Sequence, residues 1–169
     1  MPNQHPLELS VARLRAQVKM PYLVHQVMAL VPVARPGLAT LCVDRHWRLY
    51  YDPVFLVKRT PDDAAFIVLH EALHCYLNHC QRLPESHNSP AGLELGNVAK
   101  DLAVNSMLVL SRLAAPEDAV LPSKYGFRDG LSCEEYYDLL LRKKQQEEHA
   151  QNHAEGDQDQ GEDQEEHEQ

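Results

Sequence analysis

Two histidines four residues apart, His70 and His74, lie with Glu71 between them inside the apolar run FIVLHEALHCYLNHC (residues 66–80). On a helix, positions four apart stand one above the other, so both imidazoles point the same way. Two ring nitrogens on one face can hold a single metal ion, and the intervening carboxylate reaches a water at that ion. An unsatisfied polar group in an apolar helix costs about 1–3 kcal/mol. A metal removes that penalty for both imidazoles, and its water gives Glu71 a partner.

A catalytic zinc centre usually takes three protein ligands and leaves a fourth position open. Continuing the pattern with Gly at 77 and His at 80 would supply the third, but those positions hold Leu77 and Cys80. A Cys80 thiolate stays open as an alternative. His79 lies five residues after His74, about 140° round a continuous helix, so it is expected to support or cap rather than to ligate. The run NVAKDLAVNSMLVL (97–110) offers a better third ligand, because Asn97, Asp101 and Asn105 share one face. Asp101 is expected to ligate the metal, which makes zinc the expected ion. Asn105, one turn on, is expected to accept the free N–H of a ligand histidine. Glu94 is the alternative ligand. The bland alternative pairs Asp101 with Lys100 or Arg112 at the surface.

The elements that must position these residues follow from local signals. Leu7, Val11, Leu14 and Val18 repeat at helical spacing and are expected to face the core, with Pro21 ending that helix. A second helix is expected over Tyr22–Leu30, running into the breaker VPVARPG. LATLCV (38–43) and RHWRLYY (45–51) read as strands of a hairpin closed by Asp52-Pro53. Thr60-Pro61-Asp62-Asp63 starts the site helix, with Thr60 as cap, and that helix is expected to reach about Gln81. PESHNSPAG reads as a loop, followed by a helix from Leu93 or Gly96 to Leu113. Ser132 and Glu135 form a capping box for a last helix to about Lys144.

Charge is unevenly distributed. The chain of 169 residues carries a net −9, but residues 1–142 hold 14 basic against 15 acidic side chains and residues 143–169 hold 2 against 10. The folded part is nearly neutral and has no basic stripe, so direct nucleic-acid binding is not expected. Domain boundaries are expected at 1–145 for one α+β domain and 146–169 for a disordered acidic tail or linker. No run approaches the ~20 apolar residues that span a bilayer. The N-terminus lacks the apolar stretch of a signal peptide. Four cysteines without CxxC spacing read as reduced, buried thiols in a cytoplasmic protein.

The segments RLYYDP, HEALHCYLNHCQR, NVAKDLAVN and GLSCEEYYDLL resemble the bacterial metallopeptidase domain that often precedes a von Willebrand factor A-like domain. The similarity covers most of residues 7–142. It implies a zincin-like α+β fold and zinc peptidase chemistry, with His70, His74 and Asp101 as ligands and Glu71 as general base. Zincins commonly lay substrate along a sheet edge, and WRLYY (47–51) is the expected edge. Tyr125, Tyr76, His79 and His87 are the candidate oxyanion donors. The expected partners are a peptide or protein substrate and an AAA+ ATPase or von Willebrand factor A-like protein. A non-catalytic metal-binding adaptor serving such a machine is the alternative function.

Overall fold

The computed structural model describes residues 7–156, with the backbone alone for residues 85, 87 and 151–156. The chain runs α1 (Leu7–Lys19), a short 3₁₀ turn, α2 (Val24–Ala29), β1 (Val31–Ala34), β2 (Leu41–Val43), β3 (Arg48–Tyr51), α3 (Pro53–Val57) and α4 (Pro61–Tyr76), then α5 (Pro90–Leu110) and α6 (Cys133–Gly156). This is a mixed α+β architecture.

Thr60 starts the helix that the rest surrounds. Its hydroxyl accepts the Asp63 N–H at 3.1 Å, Pro61 takes the first helical position, and Asp62 and Asp63 occupy the first turn. Such caps satisfy helix N–H groups that otherwise lack partners. Ala65, Val68, Leu69 and Ala72 are fully buried on α4. Helices α1, α2 and α5 and strand β2 all pack against it.

Helix α1 forms where expected but faces the other way. Leu9, Ala12 and Ala16 are fully buried, whereas Leu7, Leu14 and Val18 are 74%, 62% and 81% exposed. Small side chains let the α1 backbone approach α4 closely, and that fit overrides the larger apolar stripe opposite. Arg15 pins the pair at its rim, reaching Asp62 at 2.6 Å.

The expected hairpin is present, with β2 antiparallel to β3 and Leu41, Cys42 and Val43 opposite Tyr51, Tyr50 and Leu49. Asp44 closes it by accepting the N–H groups of His46 (2.9 Å) and Arg48 (3.2 Å). The segment read as a breaker instead contributes β1, parallel to β3, giving the order β1-β3-β2. Pro32 is tolerated there because an edge strand need not donate on its outer side. This order corrects the expected substrate edge: the WRLYY strand, β3, is central, and β2 is an edge. Buried Asp52 accepts N–H groups from Gly37 (3.1 Å), Ala39 (2.9 Å) and Val54 (2.9 Å), fastening the loop before β2 to the start of α3.

Ser89 caps α5, accepting the Gly92 N–H at 3.0 Å, so α5 starts three residues before the expected Leu93. It ends at Leu110 rather than Leu113, with Arg112 in a left-handed conformation (φ 65°). Gly96 lets the turn at 84–88 lie on α5, since a Cβ there would stand 2.5 Å from Ser86 Oγ. The α6 capping box forms as read, with the Glu135 carboxylate accepting the Ser132 N–H at 2.8 Å. Tyr136, fully buried between α5 and α6, donates to Arg128 O at 2.8 Å.

Helix α6 continues to Gly156, correcting the expected end near Lys144. Lys, Gln and Glu are good helix formers, and Lys144 meets Glu148 one turn on at 4.0 Å. Residues 157–169 of the expected tail lie outside the described residues. The four cysteines are free, but only Cys133 is buried and Cys80 is exposed, which corrects the expectation of buried thiols. Among the described residues, no helix is long and apolar enough to cross a membrane.

The inverted α1 face is directly testable. Leu14→Ser should change stability by no more than about 0.5 kcal/mol, as exposed substitutions usually do. Ala16→Leu should cost about 1–3 kcal/mol through overpacking. Chemical denaturation of both variants measures the contrast.

Candidate metal centre

Three donor atoms converge where α4 crosses α5. His70 Nε2 and His74 Nε2 stand 2.8 Å apart. Asp101 Oδ1 lies 3.5 Å from the first and 3.1 Å from the second. Tetrahedral zinc with bonds near 2.0–2.1 Å would hold its ligands roughly 3.3 Å apart. The observed triangle brackets that spacing, so the three residues fit the ion. Among the described residues, His70, His74 and Asp101 are the group of metal-binding side chains whose donors gather within 4.8 Å. Asp101 therefore pairs with neither Lys100 nor Arg112.

Neighbouring side chains orient the two rings. His70 Nδ1 lies 2.7 Å from Asn105 Oδ1, and Asn105 Nδ2 donates to Val120 O at 2.8 Å. The second bond fixes which way the amide faces, so Nδ1 of His70 carries a proton and Nε2 is the nitrogen left for a metal to take. His74 is backed by His79, Nδ1 to Nδ1, at 3.0 Å. That contact exists because α4 ends at Tyr76, before the expected Gln81. Asn78 turns left-handed (φ 56°), and His79 N returns to His74 O at 2.9 Å. The chain break swings His79 under His74, where a continuous helix would have carried it away.

Burial and charge set the protonation states. Burial opposes a proton on His70, but the Asp101 carboxylate, the Glu71 charge and the Asn105 amide outweigh it and raise its pKa to about 9. Burial pushes Glu71 up to about 7, with the charge of His70 pulling the other way. His74 is lowered by burial and then by the charge on His70. Burial would raise Asp101, yet its bonds from His70 and His74 hold it well below the usual carboxylate range. Burial, followed by the charges of His74, Arg82 and Lys100, lowers His79 to about 3. A neutral His79 offers one lone pair, which suits it to accept the Nδ1 proton of a metal-binding His74. Its other nitrogen, Nε2, is sealed without a partner.

Two clefts meet at this centre. The first, about 460 Å³, is lined by Thr40–Val43 of the β2 edge together with His74, His79 and Lys100. The second, about 170 Å³, is lined by Phe55, Phe66, Ile67 and Val120. Glu71 is only 7% exposed yet opens on both, and no protein donor among the described residues reaches its carboxylate. Cys80 borders the first cleft but stands outside the donor triangle. Glu94 lies elsewhere, in a groove between α5 and α6 with Tyr125 and Lys143. Tyr76 is exposed beside Met107 and Leu110 in yet another groove. Of the four oxyanion candidates, His79 borders the cleft, Tyr125 and Tyr76 do not, and the His87 side chain lies outside the described residues. Sequence reasoning missed the β2 edge and Lys100 as cleft walls. Lys100 could have been found, since it follows Asn97 by three and so shares its face.

A family model described as "Putative metallopeptidase domain" matches residues 4–169. The chain belongs to this family. No curated protein and no solved structure matches the chain. A family of metallopeptidase description and a donor triangle of metal-ligand spacing both mark this as a candidate metal centre.

Metal uptake should depend on pH with a defined sign. The His70 pKa is raised from 6.5 to about 9, so its proton stabilises the metal-free fold fully below 6.5 and is lost as pH rises through 9. A metal must displace that proton. Apparent zinc affinity should therefore rise about tenfold per pH unit toward 9 and then level off. Competition with a chromophoric chelator across that range measures it.

Proposed function

We propose that the protein is a zinc-dependent peptidase of zincin-like fold, with His70, His74 and Asp101 as ligands and Glu71 as general base. The observation that carries this is Glu71: a buried carboxylate without a protein partner, facing the same cleft as three convergent donors. A purely structural site has no use for such a group.

In this reading His70, His74 and Asp101 hold the ion from two rigid helices, and Asn105 and His79 keep the imidazoles aimed. When bound, zinc supplies a Lewis acid that polarises the scissile carbonyl and acidifies the attacking water. Glu71 takes a proton from that water and gives it to the departing amine. In the metal-free site burial raises its pKa to about 7, and a bound cation would draw it down toward the ionised form that a general base needs. The substrate lies extended along Leu41–Val43, the edge strand that walls the cleft, and adds to the sheet through main-chain hydrogen bonds. Phe55, Phe66 and Ile67 offer an apolar seat on the far side of the centre.

A cytoplasmic location, a catalytic domain over 1–145 with an acidic tail, and docking to an ATPase or von Willebrand factor A-like partner are parts of the same proposal. Their support is the four free cysteines, which suit a reducing compartment, and the concentration of acid after residue 143.

Glu71→Gln separates catalysis from metal holding. Gln is nearly isosteric but cannot accept a proton, so the variant should keep its zinc and fold while peptide hydrolysis falls about 10²–10⁴-fold. Asp101→Ala should lose zinc. Elemental analysis alongside a peptide-library cleavage assay reads both. Zinc-loaded wild type that cleaves nothing, with Glu71→Gln fully functional in cells, would favour a metal-binding adaptor instead.

A further inference from the structure

Lys100 is only 5% exposed, on the turn of α5 that also carries Asp101. With its stem buried and only its tip open to the cleft, the ammonium is partly desolvated and gains from an anion or hydrogen-bond acceptors. Among the described residues no carboxylate lies within 4.0 Å of Lys100 and no acceptor receives its protons. Asp101, its neighbour in sequence, is turned to His70 and His74 instead. The other cations near the centre are satisfied. Arg59, in the second cleft, grips both oxygens of Asp118 at 3.0 and 2.6 Å. Arg82, near His79, is held by both oxygens of Glu134. Of the lysines and arginines among the described residues, Lys100 is the one that lines the 460 Å³ cleft, together with Leu41–Val43 of β2. Its Nζ is not among the atoms sealed from solvent, so the ammonium is reachable from the cleft.

We propose that Lys100 forms a subsite that selects a carboxylate on the substrate, an Asp or Glu side chain next to the scissile bond. This rests on the peptidase reading of the same centre. A strand bound along Leu41–Val43 directs alternate side chains to the two faces of the sheet, and Lys100 lines the same cleft within reach of such a side chain. A lysine is a compact charge on a flexible stem and suits a single carboxylate whose exact angle varies between peptides. The acceptor that the fold withholds from Lys100 is thus supplied by the substrate. The second cleft, with its cation already paired and its apolar walls, has no such demand. The two sides of the metal should therefore differ: acid-selecting toward His79, apolar toward Phe66. A chain-terminal carboxylate carries the same chemistry and is distinguished below.

The test uses the intact zinc-loaded protein and hydroxamate peptides, which anchor on the metal without being cleaved. For each side of the hydroxamate a Glu and a Gln version is made with both chain ends blocked, plus a Gln version with a free C-terminal carboxylate. Affinities are read by titration calorimetry, independent of turnover. One Glu peptide should bind wild type about tenfold or more tightly than its Gln twin, the range of a charged hydrogen bond. Lys100→Gln should erase the difference, Lys100→Arg should retain it, and Lys100→Glu should invert it. If the free C-terminus alone confers the gain, the carboxylate is that of a chain end and the side-chain assignment is overturned. Equal binding of every pair to wild type, or a preference that survives Lys100→Gln, overturns the subsite while leaving the peptidase reading intact. Failure of all the hydroxamates to bind zinc-loaded protein overturns both.

Discussion

The hydrogen bond between His70 and Asn105 joins the two helices on which the centre is built. Asn105 is nearly buried on α5, and its amide is locked from behind by Val120 O. It can therefore receive the His70 ring in one orientation, which leaves Nε2 aimed at Asp101 one turn earlier on the same helix. The register of α4 against α5 is thereby fixed by polar chemistry within an apolar interface. Val104 and Leu108 of α5 complete the apolar packing against α4 beside it. Slip the helices by one turn and every polar group at the crossing loses its partner, at a cost of about 1–3 kcal/mol for each.

Around that crossing the fold concentrates unresolved electrostatic demands on one cleft. Among the described residues Glu71 is buried without a donor, Lys100 has a buried stem and no anion, and two imidazole nitrogens face one another at 2.8 Å. Elsewhere the same protein satisfies its charges: Asp52 with three backbone N–H groups, Asp44 with Arg48, Arg59 with Asp118. A chain able to pair these charges so well elsewhere leaves others open where a metal and a substrate would close them. That contrast is the physical argument for function. A purely structural polar network would be closed within the protein.

The convergence of His70, His74 and Asp101 was legible in the sequence because it rests on helical periodicity. The four-residue spacing of His70 and His74 and of Asp101 and Asn105 survives any detail of tertiary packing. What was not legible depends on three-dimensional context. Strand β1 contains Pro32 and reads as a breaker until its place at a sheet edge is known. The sheet order that makes β2 the edge is a long-range fact. The left-handed Asn78, which brings His79 to His74, carries a weak local signal, because Asn tolerates that conformation without demanding it. On α1 the alanines were overlooked in favour of larger residues, although close helix contact favours the small ones. The cap at Ser89, three residues before Gly92, was readable and went unread.

The central claim is that His70, His74 and Asp101 hold zinc with no sulfur ligand. X-ray absorption at the zinc edge on the purified, zinc-loaded protein tests it most directly. The structure predicts a first shell of nitrogen and oxygen alone at about 2.0–2.2 Å, with the imidazole scattering of two histidines. In Asp101→Ala that shell should be lost or rebuilt. A scatterer near 2.3 Å would be a thiolate. It would put Cys80 in the shell and contradict the assignment of Asp101.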